Sequence, residues 1–293
     1  MPSLKDLRNR ITSVKSTQKI TKAMKMVAAA KLRKAQENAE KGRAYSDKMK
    51  QIVNNLKKNI TENTSAPKLL VGTGKGDIIL CIVMTADRGL CGGFNTNIVK
   101  KSKEYFDEII NSNKKLKIIT VGSKGNDQLK RIYKDYIIKK ISYKNIKNIS
   151  INEASELTSQ VIDMYYKDEF DVCTIFYNKF KSVISQEPQA QQIIPVEGLE
   201  QNNDDEQIKE QYEFEPDETE ILEYLLPQNI TTQIYKAFLE NAASEQGSRM
   251  SAMDNATRNA GDLIDKLTIN YNRSRQAVIT KELIEIISGA ESL

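Results

Sequence analysis

The stretch that decides the fold is QNITTQIYKAFLENAASEQGSRMSAMDNATRNAGDLIDKLTINYNRSRQAVITKELIEIISGAESL, Gln228–Leu293, which contains no proline. Ile230, Ile234, Phe238 and Ala242 begin an apolar stripe at helical spacing, and Met250, Met253, Ala260, Ile264, Leu267, Tyr271 and Val278 continue it. At 1.5 Å per residue a helix of this length extends about 100 Å. Ordinary globular helices have only ~11–12 residues. Something other than its own domain must surround part of such a helix.

The other end of the chain mirrors this pattern. From Ser3 to Ala66 there is no proline and a single glycine, Gly42, in a segment rich in Lys, Ala, Met and Gln, all good helix formers. Leu4, Leu7, Ile11 and Val14 recur at spacings of three and four, and Met49, Ile52, Val53, Leu56 and Ile60 resume the pattern. Between them the stripe narrows to Ile20, Met24, Val27 and Ala28. Two overlong helices at opposite ends predict antiparallel pairing, with a middle domain joining them. Ala242, Ala243, Gly247, Ser248, Ala252, Ala256, Ala260 and Gly261 permit close approach. Each internal Gly costs ~1 kcal/mol relative to Ala in a helix, so Gly247 and Gly261 mark closeness or a local bend.

The middle reads as alternating strands and helices. IILCIVM (Ile78–Met84) is an unbroken apolar run of the kind buried in a parallel sheet, and a glycine-rich turn leads from it into a helix from about Asn95 to Ile110. Leu116–Val121 reads as a strand, Asn152–Tyr166 as a helix and Val172–Tyr177 as a strand, with a further strand or edge hairpin within Val183–Val196. The expected fold class is α/β: a long antiparallel coiled coil of terminal helices plus a central Rossmann-like open α/β sheet domain. The expected divisions are 1–66, 67–211 and 212–293, with a solvated acidic loop before the last helix.

Composition narrows the function. Histidine is absent, which excludes histidine-dependent hydrolysis and ordinary zinc sites. Cys81, Cys91 and Cys173 form no C-x-x-C pair, so neither a disulfide framework nor a redox motif is expected. No apolar run approaches the ~18 residues of a membrane span, and the N-terminus lacks a secretory apolar core. The net charge of +5 hides a polarity: residues 1–58 hold 16 Lys or Arg against four acids, whereas residues 200–223 hold 11 acids against Lys209 alone. Partners of opposite sign are implied.

TADRGLCGGFN (Thr85–Asn95) follows a strand and precedes a helix, where α/β folds bind nucleotides. It matches neither G-x-G-x-x-G in register nor G-x-x-x-x-G-K-[ST], and a tight turn exposing Asp87, Arg88 and Cys91 as a contact surface is favoured over a phosphate site. VGTGKGD (Val71–Asp77) precedes its strand and reads as a flexible link. VGSKGND (Val121–Asp127) reads as a plain strand-to-helix turn. The basic N-terminal helix fits a solvated face or an acidic protein partner better than nucleic acid, because residues 1–44 carry no aromatic side chain to stack on bases. Met24, Met26, Met250 and Met253 read as core, or as a surface that repacks against changing neighbours.

Three blocks carry a resemblance. LKDLRNRITSVKSTQKITKAMKMVAAAKLRKAQ (Leu4–Gln36), TADRGLCGGFN, and the block from Phe238 to Leu293 together resemble the γ subunits of F-type ATP synthases. The resemblance implies a rotating central shaft whose helices enter a hexamer of alternating α and β subunits. It also implies a sheet domain that meets the ε subunit and the membrane-embedded c-ring, a δ subunit in the same complex, and no catalytic residue, cofactor or metal. Arg275 and Gln276 resemble the polar pair that hydrogen-bonds a β-subunit loop. Lys31, Arg33 and Lys34, with Arg88 and Cys91, resemble the collar facing β, and Met24 the packing residue at that moving interface. Ile286, Ile287 and Ala290 resemble the tip turning in an apolar sleeve. A chloroplast-type regulatory cysteine pair is not seen. The implied location is peripheral, on the cytoplasmic side of a bacterial inner membrane.

Overall fold

The computed structural model describes residues 3–60, 67–146, 149–196 and 218–291. In chain order the elements are α1 (Leu4–Ile60), α2 (Lys68–Val71), β1 (Ile78–Met84), α3 (Phe94–Asn111), β2 (Lys115–Val121), α4 (Ser123–Leu129), a 3-10 turn at Lys134–Tyr136, β3 (Ile137–Ile141), α5 (Ile151–Tyr166), β4 (Val172–Phe180), β5 (Gln186–Ile194) and α6 (Glu218–Glu291). The chain forms two compact units: residues 1–30 with 249–293, and residues 31–248. The divisions expected at 66 and at 211 rest on residues outside the described ones, as does most of the acidic segment.

In the smaller unit, α1 starts from Ser3, whose hydroxyl accepts the Asp6 N–H while the Asp6 carboxylate accepts the Ser3 N–H, satisfying donors the first turn cannot. The helices α1 and α6 pair antiparallel here. Thr21 and Thr257 hydroxyls meet at 2.7 Å, and Lys25 Nζ reaches Asp254 Oδ1 at 2.6 Å. The inward positions on α1 are Leu7, Ile11, Val14, Gln18, Thr21, Lys25 and Ala28, and those on α6 are Met253, Thr257, Ala260, Ile264, Leu267, Tyr271 and Ser274. Their alternating spacing of four and three is the coiled-coil heptad. This corrects the stripe read from apolar letters, since Ile20 and Val27 are 59% and 56% exposed. The seam in that stretch is polar, and its apolar neighbours face outward. Gly261 supplies closeness, because a Cβ there would lie 3.2 Å from Gln18 Nε2.

The larger unit holds a five-stranded sheet in the order β3-β2-β1-β4-β5, parallel except for β5 against β4. The run at β1 is buried on both faces. Leu80, Ile82 and Met84 pack toward Leu157, Val161, Leu226, Ile230 and Ile234 of α5 and α6, while Ile79, Cys81 and Val83 join Ile98, Phe106 and Ile109 of α3. Each such side chain contributes roughly 1.5–3 kcal/mol on burial, so β1 anchors both layers. α6 starts at Glu218 and passes through Pro227, earlier than the expected start beyond that proline. β3 is an addition to the expected layout, whereas α4 is the helix to which the expected turn at Val121–Asp127 leads, and the strand expected within Val183–Val196 is β5, hairpin-paired to β4. Gly247 abuts β4 instead of the partner helix, with a Cβ placed 3.1 Å from the Phe180 ring.

Candidate functional site

In an open α/β sheet a ligand binds outside the carboxyl ends of the strands, where strand order reverses. Here the reversal lies between β1 and β4, because β2 and β3 extend one side of β1 and β4 lies on the other. The turn after β1 is the glycine-rich Thr85–Asn95 segment. Its crevice is filled by α6. Ser248 Oγ donates to the Cys91 carbonyl at 2.6 Å, Ser244 Oγ donates to the Asn178 carbonyl at 2.9 Å, and the Asn178 N–H donates to Asn241 Oδ1 at 3.2 Å. Asn178 Nδ2 reaches back to the Phe94 carbonyl at 3.4 Å. The chain's own helix thus occupies the place where a ligand would approach the turn.

The turn itself is tightly built. The Ala86 N–H donates to Asn95 Oδ1 at 2.9 Å, and Asn95 Nδ2 lies 3.2 Å from the Cys91 sulfur. Cys91 joins Ala86 and Phe94 in a small apolar cluster and is 2% exposed. Its side chain is therefore not the contact surface expected of it. Arg88 is exposed, and Leu90, at φ 63°, is 63% exposed.

Asp87 is half-buried and ties three loops at the carboxyl edge of the sheet. Oδ1 accepts from the Ser123 N–H at 2.9 Å, Ser123 Oγ at 2.8 Å and Ser142 Oγ at 2.7 Å, and Oδ2 accepts from the Tyr143 N–H at 3.0 Å. Burial works against its charge, but the Ser142, Ser123 and Tyr143 donors outweigh it and hold the carboxyl below its ordinary value. A carboxylate with a lowered folded pKa stabilises the protein above its unfolded pKa of ~4, and that contribution is lost as pH falls through the folded value. Asp87→Asn is accordingly expected to cost about 1–3 kcal/mol at pH 7. Urea unfolding should show the gap from the unsubstituted chain narrowing below pH ~4, and a pH-independent gap would contradict this assignment.

At the opposite edge of the sheet the Val71–Asp77 loop is anchored, which corrects its reading as a flexible link. Thr73 Oγ1 donates to Asp171 Oδ1, and the Asp77 and Ile78 N–H groups donate to Asp171 Oδ2 at 2.9 Å each. Positive φ at Gly72, Gly74 and Gly76 lets the backbone curl around that carboxylate.

Of the other expected residues, Lys31, Arg33 and Lys34 are exposed on α1 in the larger unit. Met24 is half-buried in the smaller unit, where Arg275 and Gln276 are exposed on α6. Every side chain from Arg275 to Ala290 is exposed, including Val278, Ile279, Leu283, Ile284, Ile286 and Ile287. Among the described residues no group of His, Cys, Asp and Glu could hold a metal ion, and no helix is long and apolar enough to cross a membrane.

Paired terminal helices whose seam turns polar at Gln18–Lys25, and an α/β sheet whose ligand crevice is filled by the C-terminal helix, define an α/β protein built on two long helices. A family model described as ATP synthase matches residues 3–293. The ATP synthase gamma chain of Pelagibacter ubique is 67% identical over 293 residues, and that of Jannaschia sp. is 55% identical over 296, each alignment covering 100% of both chains. The chain belongs to the ATP synthase gamma-chain family. Among solved structures, a chain of the Tetrahymena thermophila mitochondrial ATP synthase central stalk and c-ring is 28% identical, with a TM-score of 0.61 over 81% of this chain and 99% of that one. A chain of the Euglena gracilis mitochondrial OSCP/F1/c-ring assembly, 22% identical, shares the fold with a TM-score of 0.68, covering 99% of this chain and 94% of that one.

Proposed function

We propose that this chain is the rotary central-stalk subunit of the F1 sector of a proton-translocating ATP synthase, itself non-catalytic, coupling c-ring rotation to ATP synthesis or hydrolysis at β subunits. The observation that carries this reading is the exposure of every side chain from Arg275 to Ala290, six of them large apolar residues. A lone helix of that length is marginal in water, and so extended an apolar surface marks a contact with other chains. A sleeve of α and β subunits would cover it. An asymmetric helix pair turning in that sleeve favours a different conformation in each β subunit, and so shifts nucleotide affinities in sequence.

In this reading Arg275 and Gln276 hydrogen-bond a β-subunit loop, the guanidinium supplying a fixed fork of donors. Lys31, Arg33, Lys34 and Arg88 form a basic collar facing acidic groups of β. Cys91 serves that collar from beneath, by holding the turn that presents Arg88. Ile286, Ile287 and Ala290 form the low-friction tip. The ε and δ subunits and the c-ring complete the assembly, on the cytoplasmic side of a bacterial inner membrane and peripheral to it.

Co-expression with α and β subunits tests the reading. One complex should purify, with ATPase activity in the complex and none in the isolated chain; hydrolysis by the isolated chain at a comparable rate would refute it. A charge at the half-buried Met24 should impair coupling more than assembly, so Met24→Lys is expected to leave the complex intact while ATP-driven proton pumping falls. Normal pumping in that variant would remove Met24 from the interface.

A further inference from the structure

β1 pairs with β4 only as far as Val83 opposite Phe176, while β4 runs on to Phe180. Residues two apart on a strand turn their backbone groups to the same side. Asn178 and Phe180 therefore present two N–H and two C=O groups where β1 has ended, while β5 flanks the other side of β4.

All four groups are taken by side chains of the long helices. Asn241 Oδ1 accepts from the Asn178 N–H, and Ser244 Oγ donates to the Asn178 carbonyl. Glu240 Oε2 accepts from the Phe180 N–H at 2.9 Å, and Arg43 donates to the Phe180 carbonyl at 2.9 Å. Arg43 and Glu240 are also paired with each other through both carboxylate oxygens, and the Glu240 side chain is 1% exposed. The helices here stand in for a missing strand.

This contact differs in kind from the apolar packing around it. Apolar burial is non-directional and tolerates a small roll of a helix against a sheet. Hydrogen bonds weaken steeply as their angles open. Glu240, Asn241 and Ser244 sit one and three residues apart on one face of α6, so a roll of that helix about its axis breaks all three sets of bonds together. A second helix, through Arg43, is held to the same strand end.

We infer that the end of β4 is the torsional joint of the larger unit, with Arg43, Glu240, Asn241 and Ser244 as positioning residues that make sheet and helices turn as one body. This rests on the rotor reading. The test uses the chain assembled with α and β subunits and a bead attached through Ile132→Cys, a position 66% exposed, whereas the native cysteines are buried. The paired variant Arg43→Met/Glu240→Met removes the Phe180 bonds without leaving a buried charge.

Amide exchange at Phe180 should accelerate about tenfold or more, and the angular variance of the paused bead should rise about twofold. The hydrolysis rate should stay close to that of the unsubstituted complex. Accelerated exchange with unchanged variance would overturn the joint. Should the paired variant fail to assemble, Ser244→Ala, which frees only the Asn178 carbonyl, decides the matter: a larger variance supports the joint, and an unchanged one refutes it. A bead that never turns on the unsubstituted complex would instead reject the rotor reading.

Discussion

Gly122→Ala is expected to lose about 4 kcal/mol or more of stability, a large share of the ~5–15 kcal/mol that holds an ordinary domain folded. Gly122 closes β2 at φ 94°, ψ 135°, a backbone conformation that side chains rarely adopt. A Cβ at this position would lie 2.2 Å from the Thr85 carbonyl oxygen. Thr85 cannot retreat, because its N–H donates to the Val121 carbonyl at 2.7 Å and its hydroxyl accepts the Gly125 N–H at 2.9 Å. Backbone would have to move where β1 and β2 meet. Thermal unfolding of the isolated chain measures the loss. A midpoint within a few degrees of the unsubstituted chain would mean that the turn relaxes easily.

Arg43→Ala comes next in size, at about 3–5 kcal/mol. It strands the Glu240 carboxylate at 1% exposure with, among the described residues, only the Phe180 N–H as donor, and leaves the Phe180 carbonyl without its Arg43 donor. Arg43→Lys separates charge from geometry. A lysine restores the charge but not the fork that reaches both carboxylate oxygens and the carbonyl, so an intermediate loss of about 1–2 kcal/mol is expected. Urea unfolding of the three chains should rank them in that order. Equal stability of the Lys variant and the unsubstituted chain would show that the fork contributes nothing beyond charge.

The sequence made the architecture legible wherever period and composition agreed. The unbroken apolar run at Ile78–Met84 read as a strand buried on both faces, and the proline-free runs carried both long helices, although α6 begins before Pro227. It misled where letters and burial diverge. Ile20 and Val27 invited a stripe that the heptad places outside, while Gln18, Thr21 and Lys25 hold the seam through Thr257 and Asp254. Polar residues inside and apolar residues outside reverse the usual pattern, and the reversal fits a helix pair with partners around it. β3 escaped notice because Lys139 and Lys140 break its apolar run, as edge strands commonly do.

The filled crevice was half legible. The glycine-rich turn announced where a ligand would bind, and its mismatch with phosphate loops argued against one, but nothing local names the occupant. Asn241, Ser244 and Ser248 lie 63 to 157 residues from the groups they satisfy. As a single letter Ser248 read as a small residue chosen for close helix approach, and Asn241 and Ser244 drew no reading at all. Arg43 and Glu240, 197 residues apart, gave no sign of pairing. Contacts of this range are set by topology, and sequence patterning alone carries no record of them.

In the proposed assembly this chain turns without itself changing any bond. A bead fixed through Ile132→Cys on the complex with α and β subunits, watched under saturating ATP, tests it most directly. Unidirectional stepping that stops when ATP is withdrawn is the predicted result. Sustained ATP hydrolysis by the complex with a stationary bead would contradict it.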